Sequence, residues 1–224
     1  MAALKRPTPR PAESTAAAPA ETTPRDQSQG RVSPADALAQ EARRLQSQGS
    51  VFAPAQRNAI GVLVEALTLD PSHQEARRHL NLAIGSLNGR IGTLIANYQF
   101  KAAGSLLAQL ADDGVPVLSN GNVRDRPSFL DAQPWRSLAV SSLLIEADAL
   151  MQKGLIATAG NDNAISRLES ATRIDPTNPL IEDMRAKCAG MLFLDAQRAA
   201  EQGVSAEARR LTNLANYVRD GFGV

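Results

Sequence analysis

The chain has 224 residues, 43% hydrophobic and 21% charged with only 4% aromatic, the profile of a soluble globular protein of one or two domains. A net charge of +1 gives no electrostatic reason to expect nucleic acid or an anionic membrane as partner. The single cysteine, Cys188, excludes an intrachain disulfide framework and a thiolate metal cluster, and reads as a small apolar residue on a helix.

Residues 1–32 are rich in Pro, Ala, Thr and Ser and read as a disordered tether, extended around Arg6-Pro7-Thr8-Pro9-Arg10-Pro11. Lys5 and Arg6 have no apolar stretch behind them, so a signal peptide is not expected. The longest apolar stretch, Leu138 to Leu150, is interrupted by Ser141, Ser142, Glu146 and Asp148, and so is no membrane span. By default the chain is expected in the cytoplasm, or in the periplasm if it belongs to a larger envelope protein.

Ordered structure is expected from Ser33, with serine as N-cap, Pro34 in the first helical position and Asp36 near the positive helix end. This helix carries Leu38, Ala42 and Leu45 and stops at Gly49. A second helix follows over Asn58 to Pro71, with Ile60, Leu63, Val64 and Leu67 on one face and Asp70-Pro71 as terminator. Ser72-His73-Gln74-Glu75 has capping-box spacing and opens a third helix whose face is Leu80, Ile84, Leu87, Ile91 and Ile95. Gly85, Gly89 and Gly92 within it suggest close helix packing or a kink. A break near Tyr98-Gln99 precedes a fourth helix with Ala103, Leu106, Leu107 and Leu110.

Residues 114–136 are punctuated by Gly, Pro and Asn-Gly and read as an irregular linker. Four more helices are expected from Ser137: one through Met151 ending near Gly154, one over Asn163 to Pro176, one opened by Asn178-Pro179, and one capped by Ser205 after a turn at Gly203. The tail from Asp220 is expected to fray.

The second half echoes the first at an offset of 105 residues. Seven of fourteen positions agree between Asn58–Pro71 and Asn163–Pro176, and eleven of 31 agree between 41–71 and 146–176, without gaps. The agreement covers helix starts, apolar positions and terminators together, as expected of a tandem repeat.

Ala59, Leu63, Ala66, Leu67 and Pro71 have the spacing of the second helix of a tetratricopeptide repeat. Ala164, Leu168, Ala171 and Pro176 match as well, with Thr172 departing at the leucine position. The region resembles tetratricopeptide-like repeats of the kind found in Gram-negative envelope proteins such as TonB-type energy transducers, although its connections before Asn58 and Asn163 are longer than the family's tight turn. The resemblance implies an all-α helical repeat that presents a surface to a protein or peptide partner.

Motifs for nucleotide binding or nucleophilic catalysis do not occur, so no catalytic, cofactor-binding or metal-ligating residue is assigned. His73 and His79 fall on different faces of one helix and read as surface residues. Glu41, Glu75 and Glu207 each precede an Ala-Arg-Arg run, and pairing with Arg44, Arg78 and Arg210 at i+3 would stabilise the helix surface. The same three arginines could instead form a ladder for an acidic partner. Phe129 and Trp135 are candidate anchors, or pack the linker onto the helices.

The expectation is thus two tandem four-helix units, 33–113 and 137–224, acting as a non-enzymatic interaction scaffold or adaptor, or alternatively as an anchoring or regulatory segment of a larger envelope or signalling protein. No cofactor, nucleic-acid partner or membrane insertion is expected, and the oligomeric state is left open.

Overall fold

The computed structural model describes residues 33–54, 57–115, 126–158 and 160–223. The tether expected over 1–32 and the centre of the irregular segment lie outside them. Eight helices follow one another: α1 Pro34–Ser47, α2 Ala59–Leu69, α3 Gln74–Ala96, α4 Phe100–Asp112, α5 Ala132–Gln152, α6 Ala164–Ile174, α7 Pro179–Glu201 and α8 Ser205–Arg219.

The helix ends show how closely local chemistry sets the architecture. Ser33 and Asp36 exchange a reciprocal capping box, Asp36 N–H to Ser33 Oγ at 3.0 Å and Ser33 N–H to Asp36 Oδ2 at 3.2 Å, with Pro34 first in α1. At the other end Gly49, at φ 79°, takes the left-handed conformation a side chain would resist. Its N–H donates to Gln46 C=O and that of Ser50 to Leu45 C=O, so two orphan carbonyls of α1 are satisfied. Gly154, at φ 75°, ends α5 in the same way, with Leu155 N–H donating to Leu150 C=O.

This correspondence runs through the fold. Asn58 caps α2 by accepting from Gly61 N–H at 3.0 Å, and Asn163 caps α6 by accepting from Ser166 N–H at 2.9 Å. Ala59 and Ala164 N–H donate to Ser50 and Leu155 C=O, which fixes how the chain re-enters a helix. Helices α6 and α7 begin and end at the same 105-residue offset from α2 and α3. Thr172, at the departing leucine position, is buried and satisfied by donating its hydroxyl to Leu168 C=O at 2.9 Å.

Several local expectations change. Helix α5 starts at Ala132, five residues before Ser137, because Pro134 lies in the first turn, where its missing N–H costs no helical bond. Helix α3 is capped by His73, whose Nδ1 accepts from Ala76 N–H at 3.2 Å, while Ser72 donates its hydroxyl to Asp70 at 2.6 Å. His73 is therefore no surface residue: its side chain is 9% exposed, and its Nε2 lies 3.0 Å from Asp36 Oδ1. Ser205 is the first residue of α8, not its cap. Phe222 does not fray; it is buried, edge-on to Tyr217 at 5.4 Å between ring centroids and beneath the Arg185 guanidinium. Helix α3 runs unbroken past its glycines; a Cβ at Gly92 would touch Leu180 of α7, whereas Gly85 and Gly89 face open space.

Sequential helices pack in pairs, and α5 also packs against α3, α4 and α7. It is the central element, with every residue from Leu138 to Leu144 buried. One hydrophobic core joins both halves, from Ala39 through Leu63, Ile84 and Leu143 to Cys188 and Val218. Asn81 of α3 ties the entry to α5: its Nδ2 donates to Phe129 C=O at 3.1 Å and its Oδ1 accepts from Asp131 N–H at 2.7 Å.

Candidate functional site

Arg44, Arg78 and Arg210 lie exposed on α1, α3 and α8, helices that share no extended contact with one another. Of the three glutamate–arginine pairs expected along helices, the one at Glu207 and Arg210 forms, with two hydrogen bonds of 2.7 Å. Those bonds hold the Glu207 carboxyl below the usual carboxylate range. Glu41 turns instead to Arg57 in the α1–α2 connection, again with two bonds of 2.7 Å. Glu75 meets Arg43 of α1 at 2.9 Å, with His79 at 3.8 Å. Each of these two acids has a partner outside its own helix, and that longer-range pair replaces the local one.

Phe129 packs partly buried against the core, while Trp135 sits half-buried in the first turn of α5. Arg210 borders an open cavity of about 250 Å³ between the start of α6 and α8, lined by Thr158, Asn163, Ser166 and Leu214 among others. The α6 amides at this end are already engaged by Asn163, Leu155 and Ile156, and Arg210 by Glu207. Among the described residues the α6 amides named here are thus not available to an anion.

A buried ion pair lies where α5 and α7 meet the α3–α4 turn. Asp148 of α5, with its side chain 2% exposed, lies 2.5 Å from Lys187 Nζ of α7. Its second oxygen accepts from Gln152 Nε2 at 2.5 Å. The Lys187 ammonium also stands 5.5 Å from the Tyr98 ring centroid and 5.1 Å from that of Phe100. One lysine thus connects the α3–α4 turn, α5 and α7 through a carboxylate and two aromatic faces.

No sequence pattern marks this cluster. Asp148 was visible as an acid inside the apolar stretch of α5, and Tyr98 as the break after α3. Their pairing depends on α7 lying beside both, which no local pattern announces. Cys188, the neighbour of Lys187, is fully buried, and burial pushes its thiol up to about 12, so it is protonated and unreactive at neutral pH.

Among the described residues no group of three or more His, Cys, Asp or Glu side chains is placed to hold a metal ion. No helix there is long and apolar enough to cross a membrane. Over the described residues the fold defines an all-α class, eight helices in paired contact. No family model matches the chain, no curated protein matches it, and no solved structure matches it.

Proposed function

We propose that the protein is a non-enzymatic interaction scaffold of tetratricopeptide-like type, built from two tandem four-helix units, that binds a protein or peptide partner. The observation that carries this reading is the recurrence of helix limits, asparagine caps and turn hydrogen bonds at one offset across α2–α3 and α6–α7. A duplicated hairpin whose recurring residues serve packing and capping is what a stacked repeat requires. Contacts of α3 with α5 and of α5 with α7 add support, because alternate helices of such repeats lie side by side. The tight packing around α5 argues that a partner engages the exposed outer faces, since α5 itself has little surface to offer.

The test is photo-crosslinking of the full chain in its native cells, with probes at exposed positions on α3, α7 and α8, followed by reconstitution with the purified candidate. Saturable binding in the micromolar range or tighter would support the scaffold. Failure of every crosslinked candidate to bind the purified chain would overturn it.

A further inference from the structure

Six helices end in the same two-bond stop, and at five of them the left-handed residue is glycine: Gly49, Gly114, Gly154, Gly203 and Gly221. The sixth stop, after α3, is made by Tyr98 at φ 59°, with its N–H donating to Ile95 C=O at 2.9 Å and that of Gln99 to Leu94 C=O at 2.8 Å. Its counterpart at the 105-residue offset is Gly203, at φ 78°. A tyrosine here crowds its Cβ against the backbone, a strain glycine avoids. Burial does not offset that strain, because Tyr98 is 64% exposed. Its ring meets Phe100 edge-on at 6.2 Å between centroids and lies beside Lys187, yet most of it stays open to solvent, and strained positions of this kind concentrate where a ligand or partner docks.

Tyr98 forms one wall of a notch between the end of α3 and the first turns of α7, completed by Ile95, Ala96, Leu180, Met184 and Asp183. Its free space is about 10 Å³, enough for one water-sized group, so no ring or whole side chain is enclosed, and an unbranched stem touches the apolar floor only where it crosses the mouth of the notch. Asp183 and its neighbour Glu182 are exposed, and neither carboxylate has a hydrogen bond or ion pair among the described residues. The cation already beside the Tyr98 ring, Lys187, is neutralised by Asp148. The rim is therefore acidic, the floor apolar, and one wall an aromatic ring. A long cationic side chain satisfies all three at once, with its stem on the apolar floor and its charge between ring and carboxylate.

We infer that this notch receives one lysine or arginine side chain of the protein partner, with Tyr98 as platform and Asp183 as counter-ion. The inference rests on the scaffold reading, but its test does not need the native partner. The isotope-labelled full chain is titrated with acetyl-Gly-Lys-Gly-amide and its arginine, norleucine and glutamate analogues, and amide shifts are followed by NMR. Lysine or arginine peptides should give saturable shifts at residues 95–99 and 180–184, with norleucine about fivefold weaker. Tyr98→Gly keeps the turn that glycine makes elsewhere in this chain, and it should abolish the shifts; Asp183→Asn should weaken them about threefold or more. Shifts that persist in Tyr98→Gly, or that scatter over distant acids such as Glu201, would overturn the inference. If a native partner is found and binds both variants as well as the parent, the notch is wrong while the scaffold stands. If no partner binds, the peptide titration still judges the notch alone.

Discussion

The α1–α2 corner and the α5–α6 corner share their backbone but not their charges. Glu41 and Glu146 occupy equivalent places, yet Glu41 is held by Arg57 from the connection and Glu146 by Arg167 from within α6, at 2.8 Å. Arg167 also donates to Asn161 C=O at 2.9 Å and to Asp162 at 2.8 Å, and its side chain is only 10% exposed against 55% for Arg57. The same shift toward burial recurs two residues further along the same helices. Arg43 and Asp148 are equivalent positions; Arg43 meets Glu75 with both side chains more than 40% exposed, whereas Asp148 meets Lys187 with 2% exposure. The helix limits and caps thus stayed in register while the ion pairs moved inward in the second half. Caps and turns are tied to backbone geometry, whereas a charge needs only some partner within reach.

The largest expected effect tests that inward move. Lys187→Met leaves Asp148 deep in the interior without its counter-ion and should cost about 3 kcal/mol in urea unfolding, whereas Arg43→Met should cost less than about 1 kcal/mol. Because Cys188 is adjacent and its thiol is raised to about 12, Lys187→Met should also speed its labelling by a thiol reagent, while the parent labels only on opening. Equal losses for the two variants would dissolve the contrast. A smaller effect comes from the corners themselves. Arg167→Ala removes three charge-assisted hydrogen bonds from a largely buried site and should cost about 2 kcal/mol. Arg57→Ala, at an exposed pair, should leave the urea midpoint almost unmoved.

Much of this fold could be read from the chain, and the reasons differ by element. Ser33-Pro34, Asn178-Pro179 and the apolar series Leu80 to Ile95 announce helices through spacing and capping chemistry alone. The offset between Asn58–Pro71 and Asn163–Pro176 is legible for the same reason, since cap, core and stop residues recur together. Illegible features are those decided by a distant neighbour. His73 displaces Ser72 as cap because Asp36 of α1 stands across from it, and Glu41 abandons its own helix for Arg57. Pro134 resembles a terminator but sits where a helix tolerates proline, so only the entry bonds from Asn81 reveal where α5 begins. The cluster of Tyr98, Asp148 and Lys187 draws on two helices and the α3–α4 turn and has no local signature at all.

The smallest effects lie in the pH dependence, where Glu41 of the first corner and Asp113, the α4 end that faces Asn58, respond with opposite sign. Hydrogen bonds from Arg57 hold Glu41 below its ordinary range. Its contribution is therefore present above that range and lost as pH falls through the lowered value. Asp113 is raised by burial, against which the Asn58 bonds at 2.9 and 3.0 Å act only partly, and Asp112 pushes it further up. Its contribution is complete below the ordinary carboxylate range and declines as pH rises through the raised value. Glu41→Gln should thus flatten the fall in urea midpoint between about pH 5 and about pH 2. Asp113→Asn keeps an oxygen to accept from Asn58 and should instead raise the midpoint near neutrality, with little change in strong acid. Midpoints recorded against pH for both variants check the pair. A neutral-pH gain in Glu41→Gln, or an acid-side loss in Asp113→Asn, would show that the corner is held by something other than these two carboxyls.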